Sequence, residues 1–134
     1  TSLKPDEILV EFRLPRRAEY GGDAYQRFIP RTERDIAVVG VGVNLTLDQN
    51  GVCQAARVAL GAVSPTPLLV DGASAALLNA SFDEQSLARA AAATSAACNP
   101  INDKRGTIEY RTQITAVIFK RTAAIALERA RQTL

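Results

Sequence analysis

A chain of 134 residues is long enough to form one domain with its own core, and 47% hydrophobic with 22% charged residues is typical of a globular protein. A net charge of +2 is too small to argue for nucleic acid or an anionic membrane as the partner, and with only three Tyr, four Phe and no Trp no nucleic-acid partner is expected. The absence of His excludes Ser-His-Asp and Cys-His catalysis and the commonest zinc ligand, so no catalytic and no metal-binding residue is predicted.

The first third of the chain predicts two strands. In DEILVEFRLP (6–15), apolar and polar residues alternate from Ile8 to Phe12 and a proline ends the run, which predicts a strand. A second strand, Ala24–Ile29, follows a Gly-Gly break and is stopped by Pro30.

The next stretch, VVGVGVNL, raises the question of a dinucleotide-binding turn at Gly40 and Gly42. Such a fingerprint needs a small third residue and a helix after it, but Leu45 stands at that position. The residues that follow, Asp48–Gly51, are typical of a tight hairpin turn, and a second strand runs on from them. The interpretation is therefore a β-hairpin with both glycines on one face, where another element can approach closely, and no binding of nicotinamide or adenine dinucleotides there.

Three helices are predicted in the second half. Asp71 is expected to cap a short helix to about Leu78, and a capping box of Ser81 and Glu84 is expected to open a helix to about Cys98. The last helix is predicted from about Thr107 to Arg131, with a buried stripe of Tyr110, Ile114, Val117, Ile118 and Ile125. Strands followed by helices predict an α+β fold: a largely antiparallel three- to four-stranded sheet with helices packed on one face.

Three absences bear on where the protein works. Cys53 and Cys98 lack Cys-x-x-Cys spacing, which favours buried thiols in a cytoplasmic protein over a disulfide or redox pair. No apolar run is long enough to span a bilayer, and a cytoplasmic location is expected. The chain contains no Met, which favours a segment of a longer polypeptide.

Three stretches, RTERDIAVVGVGVNL, ARVALGAVSPTPLL and NDKRGTIEYRTQITAVIFKRTA, resemble in their order and spacing the C-terminal domain of flavoprotein subunits of the molybdenum hydroxylases. Carbon monoxide dehydrogenase medium chains and the flavin region of xanthine dehydrogenases belong to that family. The resemblance covers nearly the whole chain. The family's Arg before Asp-Ile-Ala falls on Arg31 and Asp35–Ala37, and its Asp-x-Arg-Gly before Tyr-Arg falls on 103–106 and 110–111.

The resemblance implies a role in electron transfer between an iron–sulfur subunit and an external acceptor, beside a molybdenum subunit that oxidises the substrate. It implies that FAD is held mainly by an N-terminal domain, absent from this chain, and is covered on one side by this single domain, residues 1–134. The expected cofactor-binding residues are Arg31, Asp35, Ile36 and Ala37.

Each of these residues also has a plainer interpretation. Asp35 and Arg31 could form an ordinary surface ion pair. Asp103 and Arg105 are expected to fix the loop before the last helix rather than to touch a ligand. Without the resemblance, the sequence would indicate an α+β module for protein–protein association with no cofactor, and this alternative stays open.

Overall fold

The computed structural model describes residues 3–31 and 35–132, and in these ranges it has an open antiparallel sheet of order β1-β2-β3-β4 and three helices. The strands are β1 (Gly21–Phe28), β2 (Val39–Leu47), β3 (Cys53–Gly61) and β4 (Leu68–Leu69). The helices are α1 (Asp71–Leu77), α2 (Glu84–Ala97) and α3 (Ile108–Arg131). The predicted α+β class, with a largely antiparallel sheet, is confirmed.

The predicted hairpin is confirmed as β2 and β3. The two strands pair antiparallel with Val43 opposite Val58, and a bulge precedes the turn. In the turn, the Asp48 carboxylate accepts hydrogen bonds from the backbone N–H groups of Asn50 and Val52, each at 2.9 Å. Gly51 alone in this turn has a left-handed φ, of 79°, so the glycine and the aspartate together close the hairpin.

All three helices lie on one side of the sheet. Helix α3 packs across β1 and β2, α1 packs on β3, and α2 lies between α1 and α3. Alternate residues of β2, from Val39 to Leu47, point into this layer and are buried together with Val58, Leu60 and Phe119. The other side of the sheet carries exposed side chains such as Tyr25 and Leu69, so the folded chain has one covered and one open sheet face.

Helix α3 touches β1 through small residues, and the predicted stripe is confirmed only in part, with Ile118 buried and Ile114 and Ile125 packed against the core. A side chain at Gly22 would lie 2.1 Å from the Ala126 carbonyl oxygen, which shows how closely the helix backbone approaches β1. The buried positions of α3 are Arg111, Thr115, Ile118, Phe119, Thr122, Ala123, Ala126 and Ala130. The predicted stripe is wrong at Tyr110 and Val117, which are exposed, because this close approach turns the small residues inward.

The strand predicted for residues 6–15 is also wrong for this chain. The segment is exposed and has no regular secondary structure, because no partner strand within the described ranges reaches it. The sheet instead gains its fourth strand from Leu68–Leu69, which pairs with the end of β3.

The helix ends differ from the predicted caps at two of three places. The residue before α1 is Val70, which has no capping side chain, and Asp71 is the first helical residue. Helix α2 is capped by Asp83, whose carboxylate accepts from the Ser86 N–H at 2.7 Å, so the predicted Ser81 capping box is wrong. Thr107 caps α3 as the predicted start implies, accepting from the Tyr110 N–H at 3.1 Å.

The cysteines are both free thiols, as predicted. Burial raises the pKa of Cys53 and of Cys98, which keeps both groups protonated and unreactive at neutral pH. Among residues 3–31 and 35–132, no helix is long and apolar enough to cross a membrane.

Candidate functional site

The carboxylate of Asp35 lies at the centre of a cluster of charges beside the sheet. Its Oδ2 accepts from Arg31 Nε at 3.0 Å, and its Oδ1 accepts from Arg105 Nε at 3.2 Å. Oδ1 also accepts the N–H of Ile36 at 2.8 Å. The side chain of Asp35 is only 5% exposed, so its role goes beyond that of a partner in a surface ion pair. It connects the segment before β2 to the loop before α3.

The loop before α3 is held in turn by Asp103 and Arg111. Asp103 Oδ1 accepts from Arg111 Nη2 at 2.7 Å and from the Arg105 N–H at 2.8 Å. Arg111 is 3% exposed, and its Nη1 donates to the carbonyl oxygens of Val38 at 2.9 Å and Ala62 at 3.1 Å. The buried guanidinium therefore fastens the start of β2, the end of β3 and the loop to one helix.

These contacts form one continuous chain: Arg31, Asp35, Arg105, Asp103 and Arg111. The expectation that Asp103 and Arg105 organise the loop agrees with these bonds, and Arg105 in addition reaches Asp35 across 70 positions of sequence. The contact between Arg105 and Asp35 was not foreseen, because nothing in the local sequence pattern signals a pairing over that separation.

The two residues after Asp35 that are expected to bind the cofactor differ in their exposure to solvent. The side chain of Ile36 is 62% exposed, whereas Ala37 is half-buried. Next to them lies a shallow pocket of about 340 Å³ lined by Pro30, Arg31, Asp35, Lys104 and Arg105. Three cations around one carboxylate leave this pocket with an excess of positive charge.

The ion pairs set the protonation of both carboxylates. Hydrogen bonds from Arg31 and then Arg105 hold the pKa of Asp35 below its ordinary value of 3.8. The hydrogen bond from Arg111 is the main cause that lowers the pKa of Asp103. Both groups are thus negative at neutral pH and act as fixed charges rather than as acids or bases.

A separate exposed aromatic side chain, Tyr25, lies on the open sheet face. A side chain at Gly40 would lie 2.8 Å from the Tyr25 hydroxyl oxygen, and one at Gly42 would lie 3.8 Å from its ring. The two glycines therefore form the surface on which the ring rests, and the ring leans toward the β2 end that follows Asp35. Sequence reasoning missed Tyr25, although an aromatic on the strand that pairs with the two glycines was a usable signal.

A model of the CO dehydrogenase flavoprotein C-terminal domain matches residues 24–126. The chain belongs to this family. The match runs from within β1 to within α3, and it includes each member of the charge network from Arg31 to Arg111.

Curated relatives match almost the whole chain. The carbon monoxide dehydrogenase medium chain of Afipia carboxidovorans is 33% identical over 98% of this chain, and the 6-hydroxypseudooxynicotine dehydrogenase complex subunit alpha of Paenarthrobacter nicotinovorans is 31% identical over 99%. The xanthine dehydrogenase FAD-binding subunit of Escherichia coli O157:H7 is 29% identical over 96%. The chain spans only 44–45% of the length of these relatives.

Solved structures show the same fold. Carbon monoxide dehydrogenase from Hydrogenophaga pseudoflava superposes with a TM-score of 0.90 and 35% identity, covering 96% of this chain and 44% of that one. Reconstituted CO dehydrogenase from Oligotropha carboxidovorans gives a TM-score of 0.89 with 32% identity, again covering 96% and 44%. The recognition of a CO dehydrogenase-like flavoprotein C-terminal domain is thereby confirmed.

Proposed function

We propose that this domain covers one side of FAD in the flavin subunit of a molybdenum-containing oxidoreductase. The subunit would pass electrons between an iron–sulfur subunit and an external acceptor, with substrate oxidised in a separate molybdenum subunit. The observation that carries the proposal is the charge network centred on Asp35. The network fixes the segment that carries the exposed Ile36 beside a positively charged pocket.

The described residues fit a flavin on three counts. The open sheet face offers an aromatic ring, Tyr25, at 67% exposure, suited to lie against a flat ring system. Ile36 offers exposed apolar surface directly after Asp35. The cations of the adjacent pocket favour a ligand that carries or gains negative charge. When bound, FAD supplies electron transfer at its isoalloxazine ring.

The residues of this chain would act by holding the backbone after Asp35 in a fixed position. Asp35 accepts the Ile36 N–H and two guanidinium groups, so the backbone after it is set before any ligand arrives. Arg105 is oriented by Asp103, which is itself anchored by the buried Arg111. No proton transfer is assigned to these residues, because both carboxylates stay ionised and the guanidinium groups stay charged.

The test is the FAD content of the full-length flavin subunit with Asp35→Asn. The neutral amide loses one or both charge-assisted hydrogen bonds, so we expect the flavin to dissociate several-fold faster. Asp48→Asn is the matched control, because it also removes a carboxylate that accepts backbone N–H groups, but at the opposite end of β2. Equal flavin retention in the two variants would return Asp35 to the role of a structural ion pair.

The alternative, an association module without a cofactor, makes a different prediction. The full-length protein would then purify without flavin, and Asp35→Asn would alter only its stability. The proposed subunit should instead copurify with partners that contain iron–sulfur clusters and the molybdenum cofactor when the whole operon is expressed. Metal analysis of the purified complex, read beside its flavin content, separates the two functions.

A further inference from the structure

Residues 6–15 stand apart from the folded part of the chain. Ile8, Val10, Phe12 and Leu14 are between 81% and 89% exposed, although they are the kind of residues that fill cores. They recur at every second position, so in an extended chain they share one face. Exposed apolar side chains in such a row mark a surface that is covered in the working protein.

The opposite face of the segment is mostly charged, with Leu9 as its one apolar side chain between residues 7 and 13, and it carries an exposed ion pair. Arg13 Nη2 lies 2.6 Å from Glu11 Oε1, and these two residues are also separated by two positions. An i, i+2 contact of this kind forms on one side of an extended backbone, as in a strand. The alternation of apolar residues and this contact therefore suit a strand, and no strand lies beside the segment in the described ranges.

The comparisons show that the segment is shared with longer proteins. The match to the C-terminal domain family begins at residue 24, after this segment. The similarity to the Paenarthrobacter relative nevertheless covers 133 of the 134 residues, and so runs through it, while more than half of that relative lies outside the match. The segment is thus shared with longer flavoprotein subunits but lies outside the domain that this chain folds.

We propose that residues 6–15 form a strand of a sheet in the preceding domain of the full-length protein, with Ile8, Val10, Phe12 and Leu14 facing that domain's core. Backbone pairing would satisfy N–H and C=O groups that are open here, and the apolar face would leave water. A domain on the same polypeptide is favoured over a second copy because the covalent link gives it a high effective concentration. This strand would tie the flavin-covering domain rigidly to the remainder of the subunit, and it does not depend on whether FAD is the ligand.

Hydrogen exchange in the full-length protein and in the 134-residue chain tests the proposal. The amides of residues 8–14 should exchange freely in the short chain and about a hundredfold more slowly in the full-length protein, since strand amides open only with their sheet. Free exchange in the full-length protein would overturn the proposal. Protection in the short chain that grows with protein concentration would also overturn it, by assigning the segment to a second copy.

A pair of variants gives an independent measurement. Phe12→Ser removes an apolar side chain from the proposed core face, whereas Arg13→Ser changes its neighbour on the opposite face of the segment. Phe12→Ser should lower the melting temperature of the full-length protein by several degrees and leave the short chain unchanged, and Arg13→Ser should alter neither. If Phe12→Ser proved neutral in both proteins, the segment would not be part of a core. Should the variant fail to fold, the exchange measurement on the unmodified protein still decides.

Discussion

Because glycine has no side chain, Gly22 lets helix α3 pack directly against β1. A Cβ there would meet the Ala126 carbonyl oxygen at 2.1 Å and the Ala130 nitrogen at 2.6 Å, both of them backbone atoms that cannot turn aside. Gly22→Val should therefore lower the free energy of unfolding by about 3 kcal/mol or more, the upper range of overpacking costs. Gly61→Ala is the control, because nothing lies within 4 Å of its Cβ position. Denaturant melts of the two variants would contradict this packing if both were equally stable.

The two carboxylates of the charge network make stability depend on pH in acid. The pKa values of Asp35 and Asp103 are both held below 3.8 in the folded chain, so the unfolded chain binds more protons as the pH falls toward that value. Their contribution is complete above about pH 4 and is lost as the pH drops through the folded pKa values. Thermal melts from pH 6 to pH 2 should show this loss, and a variant with Asp35→Asn and Asp103→Asn should show a flatter slope. An unchanged slope would mean that neither carboxylate is stabilised by its arginines.

The sequence predicts part of the site and not the rest, and the reason is sequence separation. Arg31 and Asp35 are four positions apart, and their ion pair is confirmed at 3.0 Å. The bonds from Arg105 to Asp35 and from Arg111 to Val38 span 70 and 73 positions. Only the packing of α3 against β2 brings such residues together, and no local pattern carries that information.

At the scale of elements, the cap of α3 is the contact most open to test. Thr107 accepts the Tyr110 N–H at 3.1 Å, and this helix supplies Arg111 to the site. Thr107→Ala should cost about 1 kcal/mol of folding free energy, as loss of an N-cap usually does. Ser81→Ala should cost less than about 0.5 kcal/mol, because that exposed residue caps no helix. Chemical denaturation measures both, and a larger effect at Ser81 would reverse the assignment of the caps.

Local signals predict the β2–β3 hairpin correctly but misplace two of the three helix caps, and features that depend on partners are predicted less well. The β2–β3 hairpin follows from Asp48–Gly51, where the turn residues and the alternating strands lie side by side. The predicted strand at residues 6–15 has a sound pattern but lacks a neighbouring strand in the part of the chain that the structure describes. The predicted buried stripe of α3 is wrong in part, because hydrophobicity alone does not reveal that a glycine on β1 lets Ala126 and Ala130 approach the sheet. Propensity thus sets the element, while contacts decide its face and its pairing.

For the whole molecule, the 134-residue chain should fold cooperatively and yet purify without colour. Its core between sheet and helices is sufficient for a domain of this size. A flavin covered from one side only would lose most of its buried contact area. Absorbance near the flavin bands should be absent, and calorimetric titration with NAD or NADP should show no saturable heat. Tight stoichiometric FAD in this chain, or dinucleotide binding that Gly42→Val abolishes, would contradict this expectation.

The most direct test of the proposed flavin contact is the midpoint potential of FAD in the full-length subunit carrying Ile36→Lys. Ile36 is exposed directly after Asp35, so a cation there would lie against the flavin and favour its reduced, more negative form. Val117→Lys is the control, an exposed apolar residue of α3 on the helical side of the sheet. We expect Ile36→Lys to raise the potential by about 30 mV or more, a tenfold change in the equilibrium of a two-electron couple, with no change for Val117→Lys. Equal potentials in both variants would show that the Asp35 turn does not border the flavin.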